Sequence, residues 1–326
     1  MKVVHDSYLS KRTPPANITE DDTYIFANEY EKQIHTIRLL TINDCWVLND
    51  TVVAPSKFEF YDTFTHLFNL SWKSKVKRLF LLRKNCAHET TAVWITNEWT
   101  KGYFHWITEG LTKLTLLEPN TTNTILLPNE YATISFILPS LNLMGYVPKF
   151  YDPNKPLSVD TLYLPSHTGP TGNYNAEVIN ILRQKILFNF TLTKPNRKIY
   201  LSRLKAPRRK ISNEKEVTLF LQKQDYEIHF FEDYTFEKQV EIMTETSHLI
   251  GLHGAGLTNM LFMQKGGTVL ELRNEKDNHN NCYFTLASDL NHSYFYLQNT
   301  GDSNHTHDVN ITVDLKKLEQ VLNQMN

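Results

Sequence analysis

The run from Ser247 to Asn259 reads as an apolar strand emptying into a turn built from His253, Gly254, Ala255 and Gly256, with Leu257, Thr258 and Asn259 opening a helix. Such a turn suits phosphate, because the first amides of a helix lack intrahelical partners and its dipole favours negative charge at that end. Gly254 and Gly256 can take positive φ and let a ligand approach the backbone. Downstream, Gly266 and Gly267 turn the chain into the apolar strand Thr268 to Leu272, which carries Glu271 near its end. A carboxylate placed there can accept hydrogen bonds from ribose hydroxyls, or cap a neighbouring helix. Five of the 11 glycines fall between Gly251 and Gly267, so special backbone geometry is concentrated in this stretch. On spacing alone, a tight βαβ connection without a ligand is the competing explanation.

Two further groups of residues have chemistry in their spacing. Arg203 ends a strand, and Lys205, Arg208, Arg209 and Lys210 crowd the loop after it. The planar donor fork of arginine matches phosphate oxygens in pairs, although a basic run is also what a solvated loop looks like. His105 and Glu109 are four residues apart on a helical pattern, so a carboxylate can orient an imidazole there. Histidine, with an ordinary pKa of about 6.5, is suited to base catalysis near neutrality. A His-Trp pair packing a helix on a sheet would leave the same trace. His253 can donate to a diphosphate or to a sugar, and Asn259 can cap backbone inside its own turn.

The three groups together resemble glycosyltransferase family 61. His253-Gly254-Ala255-Gly256-Leu257-Thr258-Asn259 with Gly267 and Glu271-Leu272 is similar to the family signature. Tyr200-Leu201-Ser202-Arg203, then Arg209 and Ile211-Ser212-Asn213-Glu214, resembles its upstream block, and Tyr103 to Glu109 its N-terminal block. The blocks occur in the family's order over roughly residues 100 to 275. The resemblance implies an enzyme of two α/β, Rossmann-like halves in a GT-B arrangement with a cleft between them. It implies transfer of a sugar from a nucleotide-sugar donor to a glycan or lipid-linked glycan acceptor, as in polysaccharide assembly. Arg203, Arg209, His253, Gly254, Ala255, Gly256, Asn259 and Glu271 are then the donor-side residues, and His105 is the base with Glu109 as its partner or substitute. A base acting directly on the acceptor implies inversion at the anomeric carbon.

Transfer from such a donor requires that the departing diphosphate be neutralised. The chain has no Asp-x-Asp pair, so fixed cations and helix dipoles are expected to do this, with no metal and no cofactor. A Gly-x-Ser-x-Gly elbow and a Gly-x-Gly-x-x-Gly turn are also missing, against an esterase and a dehydrogenase. A nucleotide-sugar epimerase, a polysaccharide pyruvyl transferase and a non-catalytic carbohydrate-binding protein remain open alternatives.

The elements that must position these residues follow from periodicity. Short strands are expected at Ile34 to Ile42, Cys45 to Leu48, Thr51 to Val53 and Val76 to Leu82, with a hairpin turn at Asn49-Asp50. A helix carrying Phe104, Ile107, Leu111, Leu114 and Leu117 ends near Pro119. Then come strand 124–127, helix 132–144, strands 147–151 and 157–164, and helix 174–190. The rhythm continues with strand 198–202, helix 214–223, strand 227–231, helix 236–246, strand 248–251, helix 257–263 and strand 269–272, the alternation of a parallel sheet. Asn213 and Glu216 have the spacing of a capping box. Pro165 to Asn173 is the candidate linker, dividing an acceptor-side domain, 1–165, from a nucleotide-sugar-binding domain, 166–326. A closing helix with Leu315, Leu318, Val321 and Leu322 on one face docks on a domain surface.

The chain has 326 residues, 41% apolar and 21% charged, with 34 basic against 35 acidic side chains. That is a globular composition with no overall charge to draw it to nucleic acid, so anion binding must be local. Cys45, Cys86 and Cys282 lack a CxxC spacing, which fits a reducing cytosol better than a disulfide framework. The N-terminus shows no apolar signal core, and Thr124 to Pro148 is too interrupted to span a bilayer. A bacterial-type cytoplasmic member is expected, at most in peripheral contact with the inner face of the membrane.

Overall fold

Apolar strands build one large sheet in each of two units, and Tyr8–Lys11 pairs with Glu31–Ile34 in a separate two-stranded sheet. The computed structural model describes residues 1–57, 59–118, 121–303 and 308–325. One unit comprises Met1–Tyr8 with His35–Pro170, the other Leu9–Ile34 with Thr171–Asn326. Both are mixed α/β.

In the first unit the expected hairpin forms. Ile37–Leu48 pairs antiparallel with Thr51–Ala54, Leu48 opposite Thr51, and Asn49 takes a φ of 61° in the turn, a conformation that asparagine tolerates. The sheet order is Glu59–Phe60, Thr51–Ala54, Ile37–Leu48, Leu157–Pro165, Ala87–Trp94, Thr124–Pro128 and Val147–Tyr151, with Lys2–His5 also on Ile37–Leu48. Pairing is antiparallel as far as Leu157–Pro165 and parallel beyond it. Ala92, Trp94, Leu126, Val159 and Leu162 form its apolar core.

Two expectations for this unit are corrected. Val76 to Leu82 is not a strand: Trp72–Leu79 is an α-helix followed by a 3-10 turn, Phe80–Arg83. Ser71 starts it, its Oγ accepting from the Ser74 amide at 3.3 Å, and cap chemistry outweighs a short apolar run. The helix expected at 132–144 is a 3-10 turn, Asn129–Thr133, and an α-helix, Ile137–Leu143. Pro139 falls in the first turn, where its missing N–H forfeits no internal bond. The helix around His105 runs to Leu114, and its expected end near Pro119 lies outside the described residues. No described helix is long and apolar enough to cross a membrane.

The second unit follows the strand and helix alternation closely. Its sheet order is Glu227–His229, Arg197–Leu201, Thr246–Leu252, Thr268–Asn274, Ser293–Gly301 and Ile311–Thr312. The first five are parallel and the last antiparallel. Counted along the chain the parallel strands lie in the order 2-1-3-4-5, so the direction of winding reverses between Arg197–Leu201 and Thr246–Leu252. In such sheets ligands settle at the carboxyl ends of the strands flanking the reversal. Helices Glu214–Gln222 and Leu315–Met325 cover one face through Val217, Leu221, Leu318 and Leu322. The expected capping box is not made: Asn213 instead clamps Val313, donating to its carbonyl at 2.9 Å and accepting from its amide at 3.0 Å.

Segment Leu9–Ile34 joins this unit through contacts that local pattern does not carry. Arg12 reaches Asp289 at 3.0 Å and Asn173 at 2.9 Å, all three buried, while Phe26 packs edge-on against Phe284 and Tyr296. Burial pushes the Asp289 carboxyl up to about 6 in spite of Arg12. Removing one partner of a buried pair strands the other, so Arg12→Ala is expected to cost about 3 kcal/mol of unfolding free energy. Urea denaturation is the measurement, and a cost well below 1 kcal/mol would show that the segment is held by its aromatic contacts alone.

Candidate functional site

The glycine turn sits where the parallel sheet reverses. The His253 amide donates to the Leu272 carbonyl at 2.9 Å, extending the ladder by one residue before Gly254. Two expectations are corrected here. The segment after the turn is an eight-residue 3-10 helix, Ala255–Phe262, not an α-helix. Leu257 through Phe262 are all buried, and Phe262 stands edge-on to Phe236 of the helix Phe236–Thr244. Asn259 is among them and donates to the Gly256 carbonyl at 3.0 Å. Nor does either glycine use positive φ: Gly254 is extended, with φ 162° and ψ 167°. What requires glycine is space, since a Cβ at Gly254 would lie 2.3 Å from Nη1 of Arg203.

Arg203 leaves the neighbouring strand across the reversal. Its Nε donates to the Arg209 carbonyl and its Nη2 to the Arg208 carbonyl, each at 3.0 Å, so the loop it leads folds back to hold it. Arg209 takes a φ of 54° at the point of return. Ser202 and Tyr200 anchor the loop's base by donating to Glu214 Oε1, Tyr200 at 3.1 Å. Thus Ser202 and Glu214 of the upstream block brace the loop. Lys205 pairs with Asp233, and Arg208 with Asp308 at 3.2 Å. The side chains of Arg209 and Lys210 have no hydrogen bond or ion pair among the described residues. Burial pushes the Arg203 pKa down, and the nearby Arg209 charge adds to this. Two guanidinium groups brought together without a paired carboxylate are the electrostatic form of an anion site.

Glu271 has a different place from the one expected. It is fully buried: Oε1 bonds His253 Nδ1, and Oε2 accepts from the Tyr294 hydroxyl at 2.5 Å. A carboxylate so enclosed orients the imidazole and has no face for a ribose. Burial pushes its pKa up, but His253, Arg273 and Tyr294 outweigh that and hold it below the ordinary value. The other ring nitrogen, Nε2, accepts from Asn280 at 3.0 Å, which places the ring proton on Nδ1. Tyr283 packs edge-on against the ring. Neither Asn280 nor Tyr294 belongs to a motif, and nothing in local spacing points to them.

In the first unit, His105 closes an α-helical turn, Tyr103–His105, and Glu109 lies in the π-helical turn that follows, Trp106–Gly110. Single π turns are frequent at functional sites, because the extra residue re-aims side chains. His105 Nδ1 and Glu109 Oε1 are 2.8 Å apart, and Asn97 donates to Glu109 Oε2 at 3.0 Å. Asn97 Oδ1 also accepts the amides of Trp99 and Thr100, fixing the Trp99 ring 5.1 Å from the imidazole. The His105 side chain is 25% exposed and Glu109 10%, while Trp106 is fully buried and donates to Ser140 at 2.8 Å. The pair is thus an orienting carboxylate behind a reachable imidazole, whose Nε2 has no hydrogen-bond partner among the described residues.

Sequence reasoning missed Lys113, one further step of four along this helix. It is fully buried, with its ammonium 3.5 Å from the Phe64 carbonyl. Burial lowers its pKa to about 8, against the opposing charges of Glu109 and Glu98. A lysine in an amphipathic pattern reads as solvated, so only the same spacing that singles out His105 and Glu109 could have found it. Folded lysine releases its proton near pH 8 and unfolded lysine near 10.5, so its contribution to stability rises with pH between those values. Lys113→Met is expected to remove that rise, seen as a flatter dependence of Tm on pH than in the wild type. Parallel curves for the two proteins would place Lys113 in contact with water.

Comparison with known proteins bears on both groups of residues. The glycosyltransferase 61 family model matches residues 103–270, just over half of the chain. A stretch of 99 residues is 39% identical to the EGF domain-specific O-linked N-acetylglucosamine transferase of Drosophila melanogaster, covering 28% of this chain and 18% of that protein. The protein of the same name from Canis lupus familiaris is 38% identical over 87 residues, 24% of this chain and 16% of its own. The match thus spans less than a fifth of either relative's length. The family match runs from the helix of His105 and Glu109, through the Arg203 loop and the glycine turn, to the strand carrying Glu271, and the chain belongs to glycosyltransferase family 61.

Proposed function

We propose that the protein transfers a sugar from a nucleotide-sugar donor to a glycan or lipid-linked glycan acceptor, without a divalent ion and with inversion at the anomeric carbon. The observation that carries this is the Arg203 guanidinium lying over Gly254 at the reversal of the parallel sheet, beside Arg209 and held by main-chain carbonyls with no ion pair among the described residues. In this reading the donor diphosphate sits on Arg203, Arg209 and the backbone of Gly254, Ala255 and Gly256. His253 lies behind the turn with Nδ1 on Glu271 and Nε2 accepting from Asn280, so in this reading Asn280 gives way when the imidazole contacts the diphosphate or the transferred sugar. The acceptor hydroxyl gives its proton to Nε2 of His105, which Glu109 orients through Nδ1. The hydroxyl oxygen attacks the anomeric carbon, the bond to phosphate breaks, and the nucleoside diphosphate leaves with its charge on the arginines.

The reading includes the GT-B class for the pair of α/β units, with the second binding the donor. The activity in the name of the matched relatives makes N-acetylglucosamine the first sugar to try. The three cysteines are free thiols, which supports a reducing, cytoplasmic compartment. Nucleic acid is not an expected partner for a chain of this charge balance.

Incubation with labelled UDP-, GDP- and CMP-sugars tests the reaction class. Nucleotide released only when acceptor is present supports transfer. Interconversion of the sugar would favour an epimerase, and binding without turnover a carbohydrate-binding role. Turnover is expected to persist in chelator, and its loss would return the diphosphate to a metal.

Arg203→Ala is expected to weaken donor binding by about 1.5–3 kcal/mol, the scale of a charged hydrogen bond. Gly254→Ala should do the same by displacing the guanidinium, and calorimetry that finds either variant unchanged would remove Arg203 from the site. For His105→Ala, kcat should fall about a hundredfold or more with donor affinity kept. Near-normal turnover would transfer the role to Glu109.

A further inference from the structure

Surface helices of globular proteins ordinarily bury an apolar stripe and turn charged residues to water. Trp72–Leu79 does the reverse. It is fastened by its polar side: Lys75 bonds Asp62 at 3.0 Å and Arg78 bonds Asp50 at 2.7 Å. None of its residues is buried, nor any in the turn Phe80–Arg83. Trp72 is 69% exposed and Phe80 54%, and Val76 between them is exposed too. These three recur every four residues and so form one stripe along the helix. Leu82 continues the apolar surface, and Phe68, 68% exposed, lies just before the helix.

Along the chain the charges at this stripe are of one sign, the acidic Asp50 and Asp62 that fasten it coming from other segments. From Trp72 to Lys84 there are six basic side chains and no acidic one, and none is acidic from Thr63 to His88. Lys75 and Arg78 are used as fastenings. Lys73 and Lys77 are exposed with no ion pair among the described residues, and Arg83 lies over the Phe80 ring at 4.9 Å. Exposed tryptophan and phenylalanine flanked by cations match an anionic bilayer surface: rings enter the boundary between headgroups and acyl chains, and ammonium groups stay among the phosphates. An acidic protein groove would satisfy the cations, but would not call for a large ring exposed at each end of one stripe.

We infer that Trp72–Leu79 and the turn Phe80–Arg83 form a membrane-surface anchor that docks this unit on an anionic lipid bilayer. This gives the expected peripheral contact a location, and it rests on the proposed function only in its purpose, the delivery of a lipid-linked acceptor. Phe68 also stands edge-on to Trp99, whose ring is beside His105, so an aromatic path runs from the foot of the anchor to the imidazole.

The test needs neither donor nor acceptor, and therefore fails or succeeds apart from the transferase reading. The intact protein is sedimented with vesicles of phosphatidylcholine alone and with vesicles containing about 30 mol% phosphatidylglycerol, at low and high salt. Binding is expected on the anionic vesicles only, falling as salt rises. Trp72→Ala/Phe80→Ala and Lys73→Glu/Lys77→Glu should each reduce it by about tenfold or more, with unchanged Tm because all four side chains face water. Equal binding by the variants and the wild type, or no binding to anionic vesicles, overturns the assignment. So does a stable dimer, seen by analytical ultracentrifugation, that the Trp72→Ala/Phe80→Ala change dissolves, since the stripe would then belong to a second copy of the chain.

Discussion

A positive charge fixed by main-chain carbonyls, where a parallel sheet reverses direction, is the constraint on which the glycine-turn site of the second unit depends. Arg203 cannot sit where it does unless Gly254 lacks a side chain. It cannot stay there unless the loop to Arg209 turns back to offer two carbonyls. That return needs Glu214 at its base and positive φ at Arg209. Each condition is local, yet together they tie Ser202, Arg203, Arg209, Glu214 and Gly254 into one device. Holding a guanidinium with neutral carbonyls leaves its charge unspent, whereas an acidic partner would cancel it before any ligand arrived.

Much of this was legible in the chain, for reasons that differ between residues. The second unit's strand and helix alternation is regular because parallel strands buried on both faces are nearly continuous apolar runs. The glycine turn was legible in position but not in cause. Sequence shows a glycine at position 254, and two physical explanations, backbone conformation and room for a neighbour, produce the same letter. Only the approach of Arg203, fifty residues earlier, decides between them. Asn213 shows the same ambiguity, since a residue spaced to cap its own helix instead clamps Val313, a hundred residues later.

The misread elements share a cause. Val76 to Leu82 looks like a strand because consecutive apolar residues ordinarily signal burial, and here they signal exposure. Glu271 looks like a ligand contact because strand ends carry ligands, and its burial depends on Tyr294 and His253, which the chain brings from elsewhere. The 3-10 winding of Ala255–Phe262 and the π turn of Trp106–Gly110 depart from the α-helical period that pattern reading assumes, and both adjoin residues singled out for chemistry. Local propensity and tertiary demand tend to disagree at such places.

Net charge hides what matters in this molecule. With 34 basic and 35 acidic groups the chain is almost neutral, and some of its cations have a carboxylate within reach, as Arg197 has Glu227 and Lys238 has Glu241. Among the described cations without an ion pair, two groups stand out by position: Arg209 and Lys210 beside the held Arg203 in one unit, Lys73 and Lys77 beside the apolar stripe in the other. In the first case the place is the glycine turn at the reversal of the sheet, and in the second an open stripe on the surface of a helix. Each anion is defined by the shape of the place where the cations are left over.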